Sequence, residues 1–195
     1  MVDRQDIVKA STELFAAHGF KSTSISDISK AVGLSASAGG IYRHFKSKDA
    51  IFDAIFDDYF DNYTTFLTEV DSNISGAEGV DKRQLARTLL ELSFGQAKMS
   101  DAIITIYLKD RNLLKEKHIT QATGLRENSV TIFKFVCKYI SGDNLVFDAD
   151  AIAAILIDSI NFRVSNFVPD YGISEERYLT SLTDLFYSLV VTEDT

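Results

Sequence analysis

The chain has one proline, Pro169, one cysteine, Cys137, and no tryptophan among its 195 residues. So few breakers leave long uninterrupted runs, which favours an all-α fold. A single cysteine excludes an intrachain disulfide and a cysteine-based zinc site, and both exclusions suit the cytoplasm. Long apolar runs are missing too. The longest, around Ala151 to Ile157, is far too short to span a membrane, so no membrane partner is expected. The first residues, Met1 to Asp6, lack the basic-then-apolar order of a secretory signal. The three histidines show no metal-ligand spacing, and there is no phosphate-binding glycine loop and no nucleophile elbow. The chain is therefore read as non-enzymatic, with no catalytic residue, metal or cofactor.

Positive charge is scarce overall, with a net charge of −8, but it is unevenly spread. Residues 1–50 hold seven Lys/Arg against five acids, and the other 145 hold thirteen against twenty-three. Between Ile28 and Lys48 there are four bases and no acid. A small DNA-binding segment on a separate acidic body has this distribution. A chance fluctuation would give it as well.

Periodicity predicts about nine helices. The first runs from about Arg4 to His18 and stops at Gly19, with His18 placed to complement the helix dipole. Ser24 starts the second, with Asp27 three residues on forming a capping box, and Gly33 ends it. A third, short helix covers about Ala38 to Phe45, with Ile41 and Phe45 as core. Three short helices with a glycine-containing turn make a helix-turn-helix arrangement. Ser47 caps a fourth, which continues to about Val70, and 72–79 reads as a loop. Asp81 caps a fifth, Lys82 to about Lys98. A sixth runs from about Asp101 to Leu108, and a seventh lies between Asn112 and Ile140. The eighth spans Asp148 to Val168 and the ninth Ser174 to Val191.

Several separated elements then occur in a specific order. Gly19-Phe20, Thr23 to Ile28, Val32 to Ser35 and Ile41 to Lys48 together resemble the N-terminal domain of the TetR family of transcriptional regulators. The resemblance covers roughly residues 4–55. It implies a helix-turn-helix DNA-binding domain at 1–48 and a helical regulatory and dimerisation domain at 49–195. It also implies a ligand-responsive regulator, a repressor, that binds double-stranded DNA at a palindromic operator as a homodimer. Thr23 or Ser24, Tyr42 and Lys48 would contact phosphates, while Ala38 to Arg43, including Gly39 and Gly40, would carry most base readout. Lys46 and His44 lie beside them. Tyr42 could instead pack the small domain, Lys48 could be a solvated charge, and His44 could be structural.

One departure stands out. Ser35-Ala36 is followed at once by Ser37-Ala38, so eight residues separate Gly33 from Tyr42 where about six are usual. Two extra residues inside the helix would rotate everything upstream by about 200°. In the turn they cost little. Ser37 is therefore expected to cap the helix, with Ser35-Ala36 as added turn. Gly39-Gly40 inside a short helix costs about 1 kcal/mol each relative to alanine, which close approach to DNA or a late helix start would explain. The alternative is a small-molecule-binding module of TetR shape whose insertion impairs DNA binding.

By the same resemblance, the fourth to seventh helices would enclose a pocket for a partly apolar small-molecule effector, with Tyr63, Phe66, Phe94, Met99, Tyr107 and His118 as candidates. Core packing is the competing reading for each. Asp158 and Asn161 interrupt an apolar helix and either face solvent, orient a ligand or pair across a dimer. The last two helices would form the dimer interface through Ile152, Leu156, Leu182, Leu185, Phe186 and Leu189.

Overall fold

The computed structural model describes residues 2–34, 39–76, 79–141, 148–164 and 172–190. Among these the chain forms eight α-helices, a short 3-10 turn and no strand. The helices are α1 (Arg4–His18), α2 (Ile25–Ala31), α3 (Gly39–Tyr42), α4 (Lys48–Ser75), α5 (Lys82–Asp110), α6 (Glu116–Ser141), α7 (Ala149–Val164) and α8 (Glu175–Val190), with the turn at Arg111–Leu113. The expected all-α class holds, with eight helices in place of about nine.

The expected fifth and sixth helices are one. The serine and acid at 100 and 101 do not break α5, because Ser100 is buried and its hydroxyl donates to the Gln96 carbonyl one turn back, 2.8 Å away. A back-bonded serine satisfies itself inside a helix. The expected loop at 72–79 begins late for a similar reason. The Asn73 side chain donates to the Glu69 carbonyl at 2.8 Å, and Val70 and Ile74 are both buried. The helix α4 therefore runs on to Ser75. The third helix is shorter than its pattern. It stops at Tyr42, where the His44 and Phe45 amides both bond to the Ile41 carbonyl.

The caps follow the sequence closely. Asp3 and Asp6 form a capping box on α1, and Ser24 and Asp27 form another on α2. The Ser47 hydroxyl accepts from the Ala50 amide at 3.1 Å, and Asp81 accepts from Gln84 at 2.9 Å. The helix α2 closes with Gly33 at φ +74°, where its amide bonds to Lys30 and the Leu34 amide to Ser29. That pair of bonds is a Schellman motif, and the left-handed backbone it needs is the reason for glycine there.

The chain divides into two compact units, Met1–Tyr63 with Ala102–Gln121, and Thr64–Asp101 with Ala122–Thr195. The first is centred on a file of phenylalanines. Phe15 and Phe20 are 5.3 Å apart between ring centroids, Phe20 and Phe52 5.0 Å, and Phe52 and Phe56 5.2 Å. Tilted and edge-on pairs of this kind add to the energy of burial. Ile7, Ile28, Ile41 and Ile51 complete the core. The second unit buries a mainly aliphatic cluster that includes Leu89, Leu90, Val136, Ile152 and Leu156, with Phe186 among them. Leu179, Leu182, Phe186 and Val190 bury one face of α8 against it.

The α2 cap gives the first prediction. Ser24→Ala is expected to destabilise the protein by about 1 kcal/mol, the usual cost of losing a serine cap, read by urea unfolding. The Ser24 hydroxyl, then its amide, hold the Asp27 carboxyl below the ordinary carboxylate value. A depressed folded pKa contributes stability above the unfolded carboxylate range, and that contribution is lost as pH falls through the folded value. Acidification through that range should therefore destabilise the natural chain more than the variant.

Candidate nucleic-acid interface

The interface candidate lies in the first unit, at α2, α3 and the turn into α4. Its framework is apolar. Ile28, Ile41 and Phe45 are buried and anchor the segment. The residues between and after the anchors are open to solvent. Tyr42 is 53% exposed, and Arg43, His44 and Lys46 are exposed. Four side chains able to reach phosphates or base edges are thus exposed within residues 42–46, beside the buried Ile41 and Phe45.

The two glycines of α3 differ. A Cβ on Gly40 would lie 2.6 Å from the Leu34 Cδ1 atom, the tip of a flexible side chain that would have to move aside. A Cβ on Gly39 would meet nothing within 4 Å. A side chain at 40 would thus displace Leu34, whereas one at 39 would stand in open space. The expected cap Ser37, together with Ala38 and the added Ser35-Ala36, lies outside the described residues.

Two of the expected contact residues are turned inward. Thr23 is 2% exposed, and its hydroxyl donates to the Gly19 carbonyl at 3.0 Å. The Lys48 ammonium donates to the carbonyls of Phe20 and Thr23, both at 2.7 Å, and sits 4.2 Å from the centre of the Phe20 ring. Ser24 stays exposed, but its hydroxyl is engaged with Asp27 at 2.6 Å.

Sequence reasoning missed the partners that α5 brings to this turn. The buried Asp110 carboxylate accepts from the Phe20 amide at 2.8 Å, and Lys109 donates to the Ala16 carbonyl near the end of α1. Both lie some ninety residues from their partners, and no local spacing signals them.

The effector candidates divide between the units. Tyr63, Tyr107 and His118 belong to the first, and Phe66, Phe94 and Met99 to the second. His118 is 1% exposed, beside the rings of Phe56 and Phe60. Its Nε2 lies 3.1 Å from Asp57, whereas its buried Nδ1 has no hydrogen-bond partner. Burial alone would raise the Asp57 carboxyl, but hydrogen bonds from Lys117 and His118 outweigh it and hold the group below its usual value. Phe94 is buried and Phe66 half-buried, both packed with the aliphatic cluster, and Met99 is 70% exposed. Asp158 and Asn161 are exposed in the single chain. A polar cleft of about 400 Å³ in the second unit is lined by other residues, among them Arg83, Arg87, Glu91 and Glu176. There Arg87 is ion-paired with both Glu91 and Glu176. Burial pushes the Cys137 thiol up to about 11, so it stays protonated near neutral pH.

Of the expected interface residues, Ile152, Leu156, Leu182 and Phe186 are buried inside their own unit, and Leu189 is half-buried. Leu185 is 52% exposed. Ile155 of α7, one residue from a predicted position, is open at 57%. Among the described residues, no group of three or more potential ligands could hold a metal ion, and no helix is long and apolar enough to cross a membrane.

Comparison with known proteins agrees with this layout. Residues 7–55 match the family model described as bacterial regulatory proteins, tetR family. No curated protein matches the chain. Among solved structures, a ketosteroid transcriptional regulator, KstR2 of Mycobacterium tuberculosis, is similar with a TM-score of 0.74 at 16% identity, over 99% of this chain and 98% of that one. A TetR-family transcriptional regulator from Bordetella parapertussis 12822 gives 0.71 at 18% identity, over 95% and 94%. AibR, solved with isovaleryl coenzyme A and operator DNA, gives 0.68 at 15% identity, over 94% and 97%. The full-length likeness establishes a shared fold, and the match to the tetR family model of bacterial regulatory proteins is confined to residues 7–55.

Proposed function

We infer that this chain is a ligand-responsive, DNA-binding transcriptional repressor acting as a homodimer in the cytoplasm. The observation that carries this is the exposed rim of Tyr42, Arg43, His44 and Lys46, set on the buried anchors Ile41 and Phe45. Residues 1–48 do the reading, and residues 49–195 form the regulatory body. Two copies present their α3 segments to successive major grooves of a palindromic operator. An effector favours a conformation with the wrong spacing between the two readers, and the repressor is released.

His118 supplies a polar anchor among aromatic walls. A buried ring nitrogen without a partner is a costly atom that a ligand donor or acceptor would satisfy. AibR was solved with isovaleryl coenzyme A, so acyl thioesters are the first effector class to try. The open side chains of Ile155 and Leu185 offer the two copies an apolar contact on α7 and α8.

Selection of bound sequences from random DNA should return a palindrome, and binding to it should weaken steeply with salt. Arg43→Ala should cost about 1–3 kcal/mol on that site and relax its specificity. Flat, sequence-indifferent affinity in a shift assay would sink the reading. In the same assay, titration with acyl-CoA thioesters, isovaleryl-CoA first, should release the DNA and raise the melting temperature of the free protein. His118→Ala should lose that response while keeping DNA affinity. Sedimentation should show a dimer for the natural chain and a shift toward monomer for Leu185→Glu.

A further inference from the structure

Lys48 stands where the family motif implies a phosphate contact, yet its ammonium has other work. Two of its three N–H donors are used on the carbonyls of Phe20 and Thr23, at 2.7 Å each. The Phe20 ring lies beneath the same ammonium at 4.2 Å. On its other side, the Phe20 amide is held by the Asp110 carboxylate at 2.8 Å. A single residue of the α1–α2 turn is thus gripped between a cation and an anion, through its carbonyl, its amide and its ring. Thr23, the second carbonyl, directly precedes Ser24, the N-cap of α2. Lys48 is the first residue of α4. The bonds therefore join the start of α2 to the start of α4, the two elements that flank α3 in the chain.

We propose that Lys48 is a positioning residue, which sets the angle at which α2 and α3 are presented and does not neutralise a DNA phosphate. Its part in DNA binding rests on the repressor reading above, but its hold on α2 does not. Hydrogen bonds from a charged donor to carbonyls resist local opening, and their loss should be legible in α2 alone.

Three variants separate donor from charge. Lys48→Met keeps the length of the stem and removes every donor. Lys48→Gln is neutral but keeps an N–H₂ group near the same carbonyls. Lys46→Gln removes an exposed charge two residues away. Amide hydrogen exchange on the full chain without DNA should show α2 exchanging about tenfold faster or more in Lys48→Met. Exchange in Lys48→Gln should return toward the natural rate. With operator DNA, Lys48→Met should bind about tenfold more weakly at an unchanged salt slope, and Lys48→Gln should recover part of the loss. A phosphate contact instead makes the slope shallower by about 0.9, the change expected for Lys46→Gln. Unchanged α2 exchange in Lys48→Met, or a slope reduced by one contact in either Lys48 variant, overturns the proposal. If the natural chain reads no DNA, the repressor reading fails, and the exchange rates still decide whether Lys48 holds α2. If Lys48→Met does not fold, exchange in Lys48→Gln decides: α2 exchange measurably faster than in the natural chain supports the proposal, and an unchanged rate overturns it.

Discussion

The arrangement of the α2–α3 segment depends on what happens at Phe20. Helix α2 has only seven residues, too few to be stable by itself. Its order comes from its ends. At one end Ser24 and Asp27 satisfy its first amides, and at the other Gly33 closes it with a left-handed turn. Phe20 ties that unit down. Its ring meets Phe15 and Phe52 in the core, its amide meets Asp110 and its carbonyl meets Lys48. Apolar burial places the turn, and the charged partners fix its orientation. Neither contribution substitutes for the other, because burial has no direction and hydrogen bonds supply one.

The same division of labour separates buried anchors from exposed polar side chains. Ile41 and Phe45 are buried, while Tyr42, Arg43 and His44 between them are exposed. The helix that carries the first of these is a single turn, so its direction is set by those anchors more than by its own hydrogen bonds. Gly40 lets Leu34 press against that turn, which ties α3 to the end of α2. A short helix held in this way can present a rim of polar side chains at a defined angle.

In the second unit the constraint is different. Its helices are long, and it is filled by branched aliphatic side chains with few aromatic ones. Polar residues that read as breaks in the chain are absorbed by hydrogen bonds within their own helices. Ser100 and Asn73 both bond to carbonyls four residues earlier. Burial also sorts the expected dimer residues. Phe186 and Leu156 fill the interior of their own chain, and Leu185 remains open, as does Ile155, which was not among them. Periodicity identifies an apolar face, but it does not distinguish a residue that packs at home from one that packs on a partner.

Much of the first fifty residues was legible in advance, because caps and glycine stops act over three to six residues. Ser24 with Asp27, the glycine at 33 and Ser47 all do what their spacing says. The anchors Ile41 and Phe45 were legible for the same reason. The lengths of α4 and α5 were not, since a serine or asparagine reads as a break until its hydrogen bond is known. The inward turn of Lys48 and Thr23 was hidden as well. What the amino-acid sequence determined alone is the order of helices, their caps and the family motif, since these are local. What only the tertiary structure decided is which charges face out: Lys46 stays exposed, whereas Lys48 finds two carbonyls more than twenty residues away. That choice depends on which backbone groups the fold leaves unpaired beside each side chain, and distance along the chain carries no record of it.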